Sequence, residues 1–358
     1  MFWEFSCRLL RRELKKFYYH IKPSLCFISF SPVKREIFAG DFRDRVIHHL
    51  VYDTLNKHYE KILINDCYSC RKYRGTGYGI KRLAKFSRTV SQNKNFPAYV
   101  LKLDISGYFM NIDRGLLYKI NKKLIKKFFA REPQKINYLL YLLKIIINNN
   151  PTKNCRLRGD TGDWQGLPKN KSLFFASSGK GLPIGNLTSQ LFGNVYLNDF
   201  DHFVKEKLKC KYYGRYVDDM VFIHQDKNFL LALIPKIKKY LKNNLGLDIH
   251  PKKIYLQPVR NGIPFLGVVI KPHRIYCGKR LIKNFYGKLK AASSGRLKNP
   301  AFINSYLGYM KKYQTYNLRR HILDSEIGRR ALKKLRVHPS SDYSKIEPDW
   351  ALSPPKQH

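Results

Sequence analysis

Along the chain the apolar positions change period several times, and each change marks an element. Leu9, Leu10, Leu14 and Phe17 fall at roughly helical spacing among basic and aromatic neighbours. The stretch KREIFAGDFRDRVIHHLVYDTL reads as a short strand, a glycine turn and a helix. AYVLKLDISGYF reads as a strand running into a turn; Asp113 then stands where it caps a helix whose Leu116, Ile120 and Leu124 share one face. A second apolar helix is predicted over 138–147. From 148 to 180 Gly, Asn, Pro and Ser crowd together, which predicts an irregular crossing between elements. Leu187, Leu191 and Val195 restore a helical stripe that runs to about Lys207. The run around Asp218 and Asp219 reads as a hairpin, followed by a helix from about Asn228 to Asn243. HPKKIYLQP and IPFLGVVIKPHRIYCGK are strand-like, and Arg280 to about Lys334 is basic and helical. The last twenty residues predict a flexible tail. Strands alternating with helices, then a helical end, predict an α+β body with an appended helical domain.

Charge then narrows the partner. Lys and Arg outnumber Asp and Glu by 69 to 25, a net charge of +44 spread along the chain. Such an excess repels itself unless a polyanion neutralises it. Nucleic acid meets that need, because neutralised phosphates release counterions. A membrane surface is the competing partner, but YLLYLLKIIIN is too short to span a bilayer and Lys144 interrupts it. Charges throughout MFWEFSCRLLRRELKKF argue against a secretory signal, so the expected compartment is the cytoplasm, with no membrane partner. The seven cysteines are then expected as reduced thiols. Cys67 and Cys70 form one C-x-x-C without a second pair at zinc spacing, so inert buried thiols are the expectation.

Because carboxylates are scarce, each one in an apolar setting matters. Asp104 ends a strand among Leu101, Leu103 and Ile105. It reads as a turn former or helix cap, or as a residue that meets Asp218 and Asp219 across neighbouring strands. Gathered carboxylates repel one another unless cations lie between them. Mg²⁺ prefers hard oxygen ligands and keeps company with substrate phosphates. Two such ions would clamp an in-line displacement at phosphorus, one activating a primer 3′-hydroxyl and the other stabilising the leaving pyrophosphate.

A strand-terminal aspartate, a Gly-rich loop opening a helix and an Asp-Asp hairpin occur in that order in one very basic chain. With these parts the sequence resembles the reverse transcriptases over most of its length. LKLDISGYFMNID resembles their first catalytic motif, YVDD the second, FLGVVI the primer-gripping hairpin, and KREIFAGDFRDRVIHH the fingers of the bacterial intron-type branch. The resemblance implies a right-hand polymerase: N-terminal segment and fingers over 1–97, palm over 98–270 with an insertion at about 148–180, helical thumb over 271–337, and a flexible tail over 338–358. It implies catalysis by Asp104, Asp218 and Asp219, which with Ile105 hold two Mg²⁺ ions, Mn²⁺ being a substitute. It implies a nucleotide site of Arg35, Lys34, Phe109, Gly185 and Lys253, and a primer grip of Phe265, Leu266 and Gly267. Phe109 matches the bulky position that excludes a nucleotide 2′-hydroxyl, and Arg35 matches a fingers arginine whose fork suits phosphate oxygens. Lys253 matches a lysine near the pyrophosphate, placed as general acid to the leaving group, with Lys252 beside it as the alternative.

KGLPIGNLTSQLF departs from the common pattern. Most reverse transcriptases carry Gln-Gly-x-x-x-Ser-Pro here, whereas this chain has Ile184 in place of the Gln and Gln190 in place of the Pro. That variant, with WQGLPKNKSLF and INSYLGYMKKYQTYNLR, resembles the reverse transcriptases of diversity-generating retroelements. An amide can donate and accept beside the templating pair, while Ile184 offers only apolar contact, and Gly185 permits close backbone approach. The resemblance implies that Ile184 and Gln190 tune fidelity, with Arg71 as a template contact, and that misincorporation falls opposite template adenine. It implies template RNA, a cDNA or DNA primer, dNTPs and a small basic oligomeric accessory protein as partners, in a bacterial or phage-encoded element. An intron-borne or phage-defence reverse transcriptase is the alternative, and a catalytically silent RNA-binding protein with the polymerase fold is the non-enzyme reading.

Overall fold

The computed structural model describes residues 10–30 and 33–349. Leu9, at the start of the first predicted stripe, and the end of the predicted tail from 350 onward lie outside them. The chain forms two compact units, Met1–Gly79 with Val100–Leu256, and Ile80–Tyr99 with Gln257–His358. Residues 80–99 and 257–270 group with the C-terminal helices in the second unit.

In the first unit, β1 (Leu25–Ser29) and β2 (Arg35–Ala39) pair antiparallel with Leu25 opposite Ala39. After Gly40, Asp41 caps α1 (Phe42–Ile62) by accepting from the Arg43 N–H, and Ile47, Val51, Leu55 and Tyr59 form its buried stripe. The helix α2 (Gly75–Val90), which belongs to the second unit from Ile80 onward, leads to β3 (Tyr99–Asp104) and the single turn α3 (Tyr108–Asn111). Asp113 caps α4 (Arg114–Phe128) as predicted, accepting from the Leu116 N–H at 2.7 Å. Its buried face is instead Arg114, Leu117, Asn121 and Ile125, one position round from the predicted stripe. Asn121 hid that face, because it is polar yet fully satisfied: it accepts from the Tyr59 hydroxyl at 2.6 Å and donates to the Leu117 carbonyl at 2.8 Å. The apolar helix α5 (Pro133–Asn148) follows.

The crossing is irregular, as predicted, with β4 (Arg156–Leu157) added parallel to β1. A buried carboxylate pins it. Glu36, on β2, accepts from Trp164 Nε1 at 2.9 Å, Ser172 Oγ at 2.8 Å and the Leu173 N–H at 2.6 Å. Beyond it come α6 (Leu187–Tyr196) and α7 (Asn198–His202), the latter continuing as one wide turn over Phe203–Lys207. Then β5 (Tyr213–Tyr216) and β6 (Asp219–His224) form the predicted hairpin, and α8 (Lys227–Leu245) ends on Gly246. With β7 (Tyr255–Pro258) they complete a sheet in the order β5-β6-β3-β7, which sets β3 beside β6.

In the second unit, β8 (Ile263–Phe265), β9 (Val268–Ile270) and β10 (Ile275–Cys277) form an antiparallel sheet. The helices α9 (Lys279–Ser293), α10 (Ala301–Met310), α11 (Tyr316–Asp324) and α12 (Glu326–Leu335) enclose a core of Phe285, Leu289, Ile303, Leu307 and Ile322. The flexible tail expected from 338 is corrected up to 348. There β11 (Val337–Pro339) pairs antiparallel with β12 (Ile346–Pro348), and Ile346 is buried in that core. Polar composition suggested a tail, but one apolar anchor on each strand is enough to hold the ribbon. Among the described residues no helix is long and apolar enough to cross a membrane.

Candidate active site

The hairpin between β5 and β6 brings the aspartates to the end of the sheet. Tyr216 pairs with Asp219, so only Val217 and Asp218 form the loop. Two-residue hairpins need mirror-image turns with positive φ at the first central position, where glycine is usual. Val217 occupies it at φ 57°. A β-branched residue there is strained by about 1–3 kcal/mol and persists only when its surroundings hold it.

What holds it is a buried polar network beneath the turn. Arg215 Nη1 donates to the Val217 carbonyl at 2.7 Å, and the Val217 N–H donates to Ser69 Oγ at 3.2 Å. Arg215 is completely buried, as is Asp201, which accepts from Arg215 Nη2 at 2.6 Å and from the Tyr213 hydroxyl at 2.6 Å. Ser69 donates to Asn194 Oδ1 at 3.0 Å, and the Cys67 thiol lies 3.4 Å from the same oxygen. Burial pushes the Cys67 thiol up to about 11, so it stays protonated at neutral pH. The segment carrying it is stitched to β5 by Tyr68 N–H to the Arg215 carbonyl and Arg215 N–H to the Asp66 carbonyl. Gly214 is required where it stands, since a Cβ there would collide with Tyr68. None of this network was foreseen. Its available signals were a lone arginine alternating with inward Tyr213, and one more aspartate, Asp201, inside an apolar helical run.

Val217→Gly tests the strain directly. Glycine adopts positive φ without penalty, so the exchange is expected to leave stability unchanged or raise it by up to about 1 kcal/mol despite the lost side chain. Chemical denaturation of the two proteins measures it; a loss above about 2 kcal/mol would show that side-chain packing outweighs strain.

Asp104 closes β3, where it is pinned by two bonds, His250 N–H to the Asp104 carbonyl and Ser106 N–H to the Asp248 carbonyl, both 2.8 Å. This pairing sets Ile105 opposite Ile249 and uses neither the N–H nor the C=O of Ile105. Ile105 is buried, so its carbonyl oxygen is all it can offer a metal. Burial raises the Asp218 carboxyl to about 6, and the charges of Asp104 and Asp219 add to the rise. Burial also raises Asp219, against the opposing Lys102. The three carboxylates thus act on one another. Among the described residues no three His, Cys, Asp or Glu side chains converge on one metal position. Lysines offset the carboxylates' mutual repulsion: Lys253 Nζ lies 2.7 Å from Asp104 Oδ2 and Lys102 Nζ 3.3 Å from Asp219 Oδ1. The donors fit a hard divalent cation in kind, and Asp218, raised by burial and by its acidic neighbours, is the group that a cation would relieve most.

The other predicted residues divide. Ile184 and Phe109 both pack on the small core of Cys26, Phe38, Met110 and Leu173, and the Ile184 carbonyl accepts from the Phe38 N–H at 2.7 Å. Gly185 has φ 131°, and a Cβ there would lie 2.6 Å from the Phe38 carbonyl oxygen; its close backbone approach is to β2. Gln190 and Arg35 are exposed, and Lys34 Nζ donates to the Gln165 carbonyl at 2.6 Å. Arg71 is corrected. Its guanidinium is buried, paired with Glu60 at 2.8 Å and donating to the Ile64 and Cys67 carbonyls, which leaves it committed to the fold and not to a template. In the second unit Leu266 and Gly267, both at positive φ, form the two-residue turn of the β8–β9 hairpin, with Phe265 buried and Tyr309 Oη donating to the Leu266 carbonyl at 2.5 Å.

Comparison with known proteins gives a family match over residues 34–270, to the reverse transcriptases (RNA-dependent DNA polymerases). No curated protein matches the sequence. Among solved structures, the chain is similar to telomerase from Candida albicans, in complex with a fragment of telomeric RNA, at 12% identity and a TM-score of 0.47, over 92% of this chain and 59% of that one. It is similar also to an apo telomerase from Candida tropicalis truncated of its C-terminal domain, at 14% identity and a TM-score of 0.46, over 74% of this chain and 58% of that one. The chain thus spans less than two thirds of the telomerase chains it matches.

Proposed function

Since the chain belongs to the reverse transcriptase family, whose activity class is RNA-directed DNA polymerisation, we propose that it copies a template-repeat RNA of a diversity-generating retroelement into adenine-mutagenised cDNA. The observation that carries the polymerase reading is the coupled carboxylate group at the ends of β3 and β6, where Asp218 is raised to about 6 by burial and by its acidic neighbours. Mg²⁺ ions held by Asp104, Asp218 and Asp219 would supply charge neutralisation at the reacting phosphate. Lys253, paired with Asp104, is the residue that would donate a proton to a phosphate-bearing leaving group beside that carboxylate. Phe109, wedged beside Gly193, narrows the nucleotide site.

The retroelement reading rests on Ile184. An apolar side chain packed with Phe109 on one core presents no amide to a template–nucleotide pair, so mispairs lose a polar penalty. A basic oligomeric accessory protein and a cytoplasmic bacterial or phage setting belong to the same proposal. Primer extension on an RNA template with dNTPs, followed by sequencing of the cDNA, tests both parts. Extension is expected, with errors concentrated opposite adenine, and Ile184→Gln is expected to lower those errors several-fold. An unchanged error spectrum would remove the retroelement reading, and absence of extension by the unmodified chain would remove the polymerase reading.

A further inference from the structure

Arg114, the first residue of α4, is only 8% exposed. Its Nε donates to the Gly181 carbonyl at 2.7 Å, Nη1 lies 3.5 Å from the Asn148 carbonyl, and among the described residues Nη2 has no partner. No carboxylate pairs with it among those residues either. Asp113, the nearest in sequence, spends its side chain on the helix cap. Guanidinium stays protonated at any ordinary pH, so this is a buried cation without a counter-ion, and burial alone lowers its pKa.

Beside Arg114 lies a cavity of about 340 Å³. Lys153, Lys180, Ser177 and Ser178 line it, together with Gly115, the second residue of the fifteen-residue helix α4. No acidic residue lines it, and neither lysine has an ion-pair partner among the described residues. Of α4's first-turn N–H groups, that of Arg114 donates to the Gly179 carbonyl at 2.9 Å and that of Leu116 to Asp113, which leaves the Gly115 N–H to favour an anion. Three cations, two hydroxyls and a helix start around one space of this size match the oxygens of a tetrahedral oxyanion.

We propose that this cavity is a phosphate-binding site, separate from the aspartate group and independent of whether the chain polymerises. Arg114 supplies the buried charge, Lys153 and Lys180 close over the oxygens, and Ser177 and Ser178 donate from the loop. A phosphodiester of bound RNA and a free phosphate share this chemistry.

The full chain tests it by thermal melting in sodium phosphate against sodium chloride at equal ionic strength. Phosphate is expected to raise the wild-type midpoint above the chloride control. Lys153→Ala/Lys180→Ala, a double change at exposed or half-exposed positions, should lose most of that rise. Lys119→Ala/Lys122→Ala, which removes the same charge from the exposed face of α4, should keep it. Binding of single-stranded RNA then separates the sources. Weakening of about tenfold in the cavity variant, with the salt slope reduced by between 1 and about 1.5, identifies a phosphodiester. Unchanged RNA binding with the phosphate response lost identifies a free phosphate. Equal responses in the wild type and the cavity variant, an equal loss in the control variant, or no phosphate-specific rise would each overturn the site.

Discussion

Asp218→Asn is expected to cut primer extension on the order of a thousandfold and, at the same time, to raise the melting temperature of the metal-free protein at neutral pH. Both results follow from one arrangement. The carboxylate is worth most where negative charge is hardest to hold, because that is where a bound cation and a phosphate gain most from it. In the free protein the same carboxylate is a burden: its pKa stands at about 6 against an ordinary 3.8. Between those values the folded chain binds more protons than the unfolded one, so wild-type stability falls as pH rises from about 4 to 6 and is flat above. The full cost approaches about 3 kcal/mol, from a shift of about two pKa units. The Asn variant lacks this slope. Its advantage in midpoint should therefore grow across that window in a chelator-containing buffer and vanish below it. A difference independent of pH would remove the account of Asp218 as a carboxyl raised by burial and by its acidic neighbours, whatever happens to extension.

Asp201→Ala is expected to be the most destabilising single change near the site, by about 3–5 kcal/mol, because it strands the completely buried Arg215 guanidinium. Replacing both members, as Asp201→Leu with Arg215→Met, removes the stranded charge and should recover part of the loss. Extension should not recover with it. Arg215 also holds the Val217 carbonyl, so a refolded apolar pair still leaves the strained turn and the two aspartates beyond it without their support. Denaturant midpoints paired with extension rates for the wild type and the two variants measure this. Recovery of both together would make the pair a matter of stability alone, and the turn's geometry self-sustaining.

Much of the fold was legible because its signals are local. The strand–turn–helix around Gly40, the cap at Asp113 and the hairpin at Asp218 depend on period, turn chemistry and one or two short contacts. Errors arose where a polar residue sat in a buried face. Asn121 displaced the apparent stripe of α4, and Arg71, expected at the template, is buried against Glu60. Neither sequence position says which partner it will find, since satisfaction of a buried polar group is a property of what packs over it.

By itself the sequence determined the family, the scarcity of carboxylates, the positive excess and the aspartates worth attention, all of which reside in residue identity and order. Only the tertiary structure decided what each charge does. Lys253 meets Asp104 across 149 residues, Arg215 meets Asp201 inside the core, and Arg114 is buried with no ion pair among the described residues. Charge interaction falls off with distance and deepens with burial, and neither quantity exists until the chain has folded.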